Sequence, residues 1–182
     1  MALESTMVPL GTPMPEFTLP DIDGQHLDLQ AYAGGSPLLV VFACNHCPYV
    51  RHVERLLGEI VDAADGLRTL AINSNDTSAY PEDGLSGMRE QIARARWTFP
   101  YLIDESQDVA RAFGAACTPD FFLYDKTGHL AYRGAFDTST PKNDQPLDGH
   151  LLRAAISQVM AGESVPEPHK PSMGCGLKWK SA

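Results

Sequence analysis

Residues Leu38 to Ala43 read LLVVFA, an unbroken apolar run that opens directly onto CNHCPYV. A short apolar segment without polar alternation suits a strand buried on both faces, and such strands lie in sheets covered by helices on both sides. After Pro48 the period changes. Val50, Val53, Leu57, Ile60 and Ala64 recur at steps of three and four, and Leu56 and Val61 widen the stripe. Arg51, Glu54, Arg55 and Glu59 fill the other side. This predicts an amphipathic helix with proline in its first turn, where no amide donor is missed, ending near Asp65-Gly66. LRTLAI, Leu67 to Ile72, predicts the next strand. Strand, helix and strand in this order form a parallel, right-handed unit, so the chain is committed to an α/β fold.

The remaining segments fit around that unit. FTLPDIDGQHLDL alternates about Asp23-Gly24 and predicts a β-hairpin. NSNDTSAYPEDG is a polar loop, and Leu85, Met88, Ile92 and Ala95 mark a second helix. FPYLIDE predicts a short strand and SQDVARAFG a short helix closed by Gly114. FFLYD and HLAYRG flank Lys126-Thr127-Gly128 as an antiparallel hairpin. Asp148 is placed to cap a last helix, with Leu152, Ala155, Ile156 and Val159 on its apolar face and Gly162 at its end. From Glu163 on, proline and glycine predict an irregular arm. A chain of 182 residues suits one domain, divided into an arm and hairpin (1–37), a core (38–162) and a C-terminal arm (163–182). No internal repeat occurs.

A net charge of -9 and a pI near 5.0 argue against nucleic acid or an anionic membrane as partner, because nothing neutralises phosphates. MALESTMVPLGTPMPEF has no basic segment followed by an apolar one, and no run reaches the roughly 18 apolar residues of a membrane span. The expected compartment is the cytoplasm, where thiols stay reduced. Four cysteines are too few for a disulfide scaffold, and a 44–47 link closes too small a loop to restrain the unfolded chain much. The C-x-x-C pair therefore reads as redox-active or metal-binding.

A cysteine where a strand ends and a helix begins faces free amides and the positive end of the helix dipole, which favour the nucleophilic thiolate. Cys44 is assigned to that junction, with a lowered pKa and the attacking role. Cys47 is assigned the resolving role, and His46, if protonated, stabilises the thiolate further. C-x-x-C is also half of a zinc site, but no second C-x-x-C or H-x-x-x-H completes it. No resident metal or cofactor is expected.

The C-x-x-C at the junction, together with CTPDFFLYD before the final hairpin, resembles the thioredoxin superfamily. The hairpin start, the long insertion from Ser74 and the tail KPSMGCGLKW resemble its peroxiredoxin-like (AhpC/TSA, redoxin) branch, from about Gly11 to Trp179. The resemblance implies a thioredoxin-like fold with a central mixed sheet, helices on both faces, an N-terminal hairpin and an irregular C-terminal arm. It also implies a cis Thr118-Pro119 bond, with Thr118 offering its backbone to an extended substrate. The chain departs from peroxiredoxins at three places. If Cys47-Pro48 is set on their peroxidatic Cys-Pro, Cys44 stands in place of threonine, Val40 in place of proline and Pro119 in place of the site arginine.

The expected activity is thus thiol–disulfide exchange on a disulfide-containing protein or small thiol substrate, with electrons from a cytosolic dithiol. A thiol-dependent peroxidase on the same pair is the alternative. A carrier or sensor of copper or zinc, using Cys44, Cys47 and either Cys175 or His46, is the non-enzymatic one. Cys117 and Cys175 are auxiliary candidates: the first reads as a small buried residue, the second as an exposed tail thiol between glycines. His26, His52, His129, His150 and His169 read as solvated, Trp97 and Trp179 as packing, and Glu82, Asp83, Asp104 and Glu105 as a solvated acidic face. Oligomeric state is not legible.

Overall fold

The computed structural model describes residues 1–181, so the last residue assigned to the C-terminal arm lies outside it. In chain order the elements are β1 (Ala2–Glu4), β2 (Thr18–Pro20), β3 (His26–Asp28), α1 (Leu29–Ala33), β4 (Leu38–Phe42), α2 (Pro48–Asp62) and β5 (Arg68–Asn73). Then follow a 3-10 turn (Pro81–Asp83), α3 (Leu85–Ala95), β6 (Tyr101–Ile103), α4 (Asp108–Phe113), β7 (Cys117–Thr118) and β8 (Asp120–Tyr124). The chain ends in β9 (Leu130–Arg133), α5 (His150–Met160) and β10 (Met173–Gly176).

The central sheet has the order β6-β5-β4-β8-β9. β4 pairs parallel with β5, as the strand–helix–strand pattern requires, and antiparallel with β8. Every residue of β4 is buried. Leu39 and Val41 pack with Val53, Leu57 and Ile60 of α2 and Leu152 and Ile156 of α5. Leu38, Val40 and Phe42 pack on the opposite side with Leu29, Val109 and Phe113 of α1 and α4. Two cores on one strand explain its missing polar alternation. Each such aliphatic side chain contributes about 1.5–3 kcal/mol on burial. The predicted β2–β3 hairpin and the β8–β9 hairpin both form.

Four expectations are corrected. The C-terminal arm is not irregular: β10 is the middle strand of a small antiparallel sheet, β1-β10-β7. Glycine has poor strand propensity, but here it permits contact. A Cβ on Gly174 would stand 1.9 Å from the Thr118 carbonyl oxygen, so only glycine lets this strand seat. Asp83 and Asp104 are buried rather than solvated. Asp104 accepts from Ser74 and from the Ala110 amide, closing the start of α4. Glu54, on the polar side of the predicted stripe, is buried as well. His169 is buried against Tyr132 and meets Arg133 at 3.0 Å. In addition, Gly149 rather than Asp148 is the cap residue of α5, and Asp137 accepts the amides of both.

Candidate active site

Pro48 fixes where α2 begins, which makes Cys47 its N-cap residue. Cys44 stands upstream, just past the end of β4. The two thiols are 1% and 0% exposed, respectively. Both face Thr118 of β7. Cys47 Sγ lies 3.1 Å from the Thr118 carbonyl oxygen, and Cys44 Sγ shares a hydrogen bond with Thr118 Oγ1 at 3.4 Å. The Thr118-Pro119 bond is cis. The backbone edge of Thr118 is taken by the chain's own β10, with Cys175 opposite Thr118.

The pair divides its protons in the reverse of the sequence expectation. Hydrogen bonding from Cys44 holds the Cys47 thiol below the ordinary range against the cost of burial, aided by Cys175, Thr118 and the Val50 amide. Its bond to Cys47, burial and the Asp83 carboxylate push Cys44 up. These directions favour Cys47 over Cys44 as the ionised member of the pair. The amides of the first helical turn point at the N-cap residue, whereas Cys44 lies before that turn and beside an acid. Proline at the first helical position was the signal in the sequence that could have found this.

Asp83 was missed as a site residue. Its Oδ1 accepts the His46 amide at 3.0 Å, and its Oδ2 meets His46 Nδ1 at 2.6 Å and accepts from Asn75 at 2.9 Å. The His46 ring stacks on Tyr80 at 5.7 Å. His46 is thus engaged with an acid, and its ring also lies within 4.8 Å of the Cys44 sulfur that the sequence paired it with. Asn45, also missed, receives Arg94 Nη2 on its side chain and Arg51 Nε on its carbonyl, and donates to the Glu82 carbonyl. These bonds hold the loop between the two sulfurs in one conformation. Cys117 is buried, its thiol is pushed up by burial and by Asp120, and it donates to the Pro119 carbonyl at 3.7 Å. It reaches neither member of the pair by hydrogen bond.

Donor atoms of Cys44, His46 and Asp83 lie within 4.8 Å of one another. The 2.6 Å contact between His46 Nδ1 and Asp83 Oδ2 is a hydrogen bond, and a cation held by both atoms would have to part them. Among the described residues no guanidinium hydrogen-bonds either sulfur, in line with the missing peroxiredoxin arginine. A cleft of about 610 Å³ is lined by Leu10, Pro37, Lys126, Val159 and Val165 and contains no cysteine. A smaller cavity of about 250 Å³ runs beside Pro119, lined by Phe136, Ser139, Lys170 and Met173 among others.

Arg94 bonds Glu54 through both Nε and Nη2, and Gln91 adds a bond to the same carboxylate. Glu54 is 3% exposed, so Arg94→Met strands a buried charge and frees Asn45. Removing one partner of a buried pair costs about 3–5 kcal/mol. Because the Arg94 side chain is 38% exposed, water enters where it leaves, and a loss of about 3 kcal/mol is expected. Urea unfolding measures it, and a loss under about 1 kcal/mol contradicts the assignment. Glu54→Gln in the same chain should recover much of the loss.

The sequence model of the AhpC/TSA family matches residues 10–133. The thiol-disulfide oxidoreductase ResA of Geobacillus thermodenitrificans is 28% identical over 133 residues, 70% of each protein. A crystal structure of an uncharacterized conserved protein from Geobacillus kaustophilus superposes with a TM-score of 0.96 at 42% identity, covering 100% of this chain and 98% of that one. A secreted Mycobacterium tuberculosis disulfide oxidoreductase matches with a TM-score of 0.61 at 16% identity, over 78% of this chain and 94% of that one, which shows a shared thioredoxin-like fold.

Proposed function

Since the chain belongs to the AhpC/TSA family and carries a thioredoxin-like fold, we propose that it is a thiol–disulfide oxidoreductase in which Cys47 attacks and Cys44 resolves. The observation that carries this reading is a thiol at a helix N-cap, lowered by its neighbour, with both sulfurs brought to the same residue, Thr118. The name of the ResA relative supports the same chemistry.

The Cys47 thiolate attacks one sulfur of a substrate disulfide. A Cys47–substrate S–S bond forms, the substrate S–S bond breaks, and the leaving thiolate takes a proton from solvent. Capture also removes the largest cause of the raised Cys44 pKa, because a disulfide sulfur no longer holds the Cys44 proton as a thiolate does. Cys44 then loses its proton towards the neighbouring Asp83–His46 pair and attacks Cys47 Sγ. The Cys44–Cys47 bond forms and the second substrate thiolate departs. Two electrons and two protons from a dithiol donor, in a reducing cytoplasmic setting, restore the pair. The chemistry balances without a cofactor.

The test is a stoichiometry. Reduced protein mixed with excess aromatic disulfide should release two thiolates per chain and lose two protein thiols to an intramolecular link. Retention of all four thiols under those conditions overturns the reading. The same assay with hydrogen peroxide tests the peroxidase alternative.

A further inference from the structure

The attacking pair has almost no surface. Cys44 and Cys47 are 1% and 0% exposed, so a Cys44–Cys47 disulfide presents far less sulfur surface to an external dithiol than Cys175 does. Cys175 is only partly buried, and it packs against the core cluster that contains both sulfurs. Its strand β10 lies antiparallel to β7 with Cys175 opposite Thr118, the residue that both sulfurs touch. Gly174 and Gly176 flank it, and the approach at Gly174 is too close for any side chain. The backbone contacts therefore hold the Cys175 side chain beside the pair. Cys175 also contributes to holding the Cys47 thiol low.

We propose that Cys175 is a relay thiol that carries reducing equivalents from solvent to the buried pair. This rests on the exchange reading given above. In the oxidised protein Cys175 attacks Cys47 Sγ. The Cys47–Cys175 bond forms, the Cys44–Cys47 bond breaks, and Cys44 leaves and takes up the proton that Cys175 gave. A thiolate of an external dithiol then attacks Cys175 Sγ. The donor–Cys175 bond forms and Cys47 leaves as thiolate. The donor's second thiol closes its own disulfide, and Cys175 is released and reprotonated. The balance is one donor dithiol oxidised and one protein disulfide reduced. The direction of attack follows from the two thiols: burial and its bond to Cys47 push Cys175 up to about 12, while Cys47 is held low. The lower thiol is the better leaving group, and it lies on the buried side.

The test uses the full chain. Cys44→Ser protein is oxidised with one equivalent of diamide, blocked with N-ethylmaleimide and mapped by peptide mass. A Cys47–Cys175 link in most chains is expected. In parallel, oxidised Cys175→Ser protein is reduced with dithiothreitol, and the Cys44–Cys47 link should open about tenfold more slowly than in the wild type. Serine nearly matches cysteine in volume, so β10 stays seated and the rate reports chemistry. Gly174→Ala supplies the third arm. It should unseat β10, abolish the Cys47–Cys175 link and raise iodoacetamide labelling of Cys47. The relay is overturned if the Cys44→Ser protein yields no such link, or if the Cys175→Ser protein is reduced at the wild-type rate. Turnover of Cys47→Ser, followed alongside, separates these failures: if that variant stays active, the exchange reading itself is wrong.

Discussion

Cys47→Ser should lose disulfide reduction almost completely, with turnover down by about a thousandfold or more, because no other thiol in the site lies below the ordinary range. Cys44→Ser should behave differently. It keeps the attacking sulfur, so it should still release one thiolate per chain in the first turnover. Replacing Cys44 and Cys175 together should leave the substrate bound to Cys47 as a stable mixed disulfide, visible as a mass increase. The pH profile distinguishes the two sulfurs independently. A thiol near pH 8.5 gains about tenfold in reactivity per unit below its pKa. Cys47 is already ionised in that range, so the rate of capture should stay flat from pH 7 to 9. Full activity in Cys47→Ser, or trapping by Cys47→Ser instead of by the Cys44 variant, reverses the roles assigned here.

The second large effect concerns stability. Asp120 follows Pro119 and is fully buried. Its Oδ2 accepts the Ala116 amide at 3.1 Å, and its Oδ1 has no hydrogen-bond partner among the described residues. Burial pushes its carboxyl up to about 7 from 3.8, with backbone amides opposing. Between those values the folded chain holds a proton that the unfolded chain has released, so stability falls as pH rises through the window and levels off above it. At 1.36 kcal/mol per unit, about three units amount to roughly 4 kcal/mol between pH 4 and pH 8. Asp120→Asn keeps an acceptor for the Ala116 amide and removes the titration. Urea unfolding of both proteins should therefore show the variant gaining on the wild type by roughly that amount as pH rises. Parallel curves would mean that the carboxyl is ionised in the native protein throughout.

Arg94 and Glu54 show why part of the site escaped the sequence. Glu54 lies on the polar side of a clean amphipathic stripe, and periodicity assigns such a residue to solvent. It is buried because α3 packs over that side and brings Gln91 and Arg94 to its carboxylate. Asp83 likewise belongs to a polar loop by composition, yet the loop folds back so that its carboxylate accepts the His46 amide and meets the His46 ring. Neither fact has a local signature, since each depends on a partner distant in the chain.

What the residues determined by themselves was local. The apolar run requires a covered strand, the change of period requires a helix, and Pro48 sets the helix start beside a pair of thiols. Those are short-range preferences of backbone and solvent, and they carried the fold class and the C-x-x-C pair. Which sulfur ionises was decided only in three dimensions, by amides, a carboxylate and a third cysteine gathered from separate segments. The seating of β10 belongs to the same class, because glycine marks a weak strand by propensity and a required one where two backbones meet. Through-space electrostatics and close approach act between segments, and only the folded chain brings those segments together.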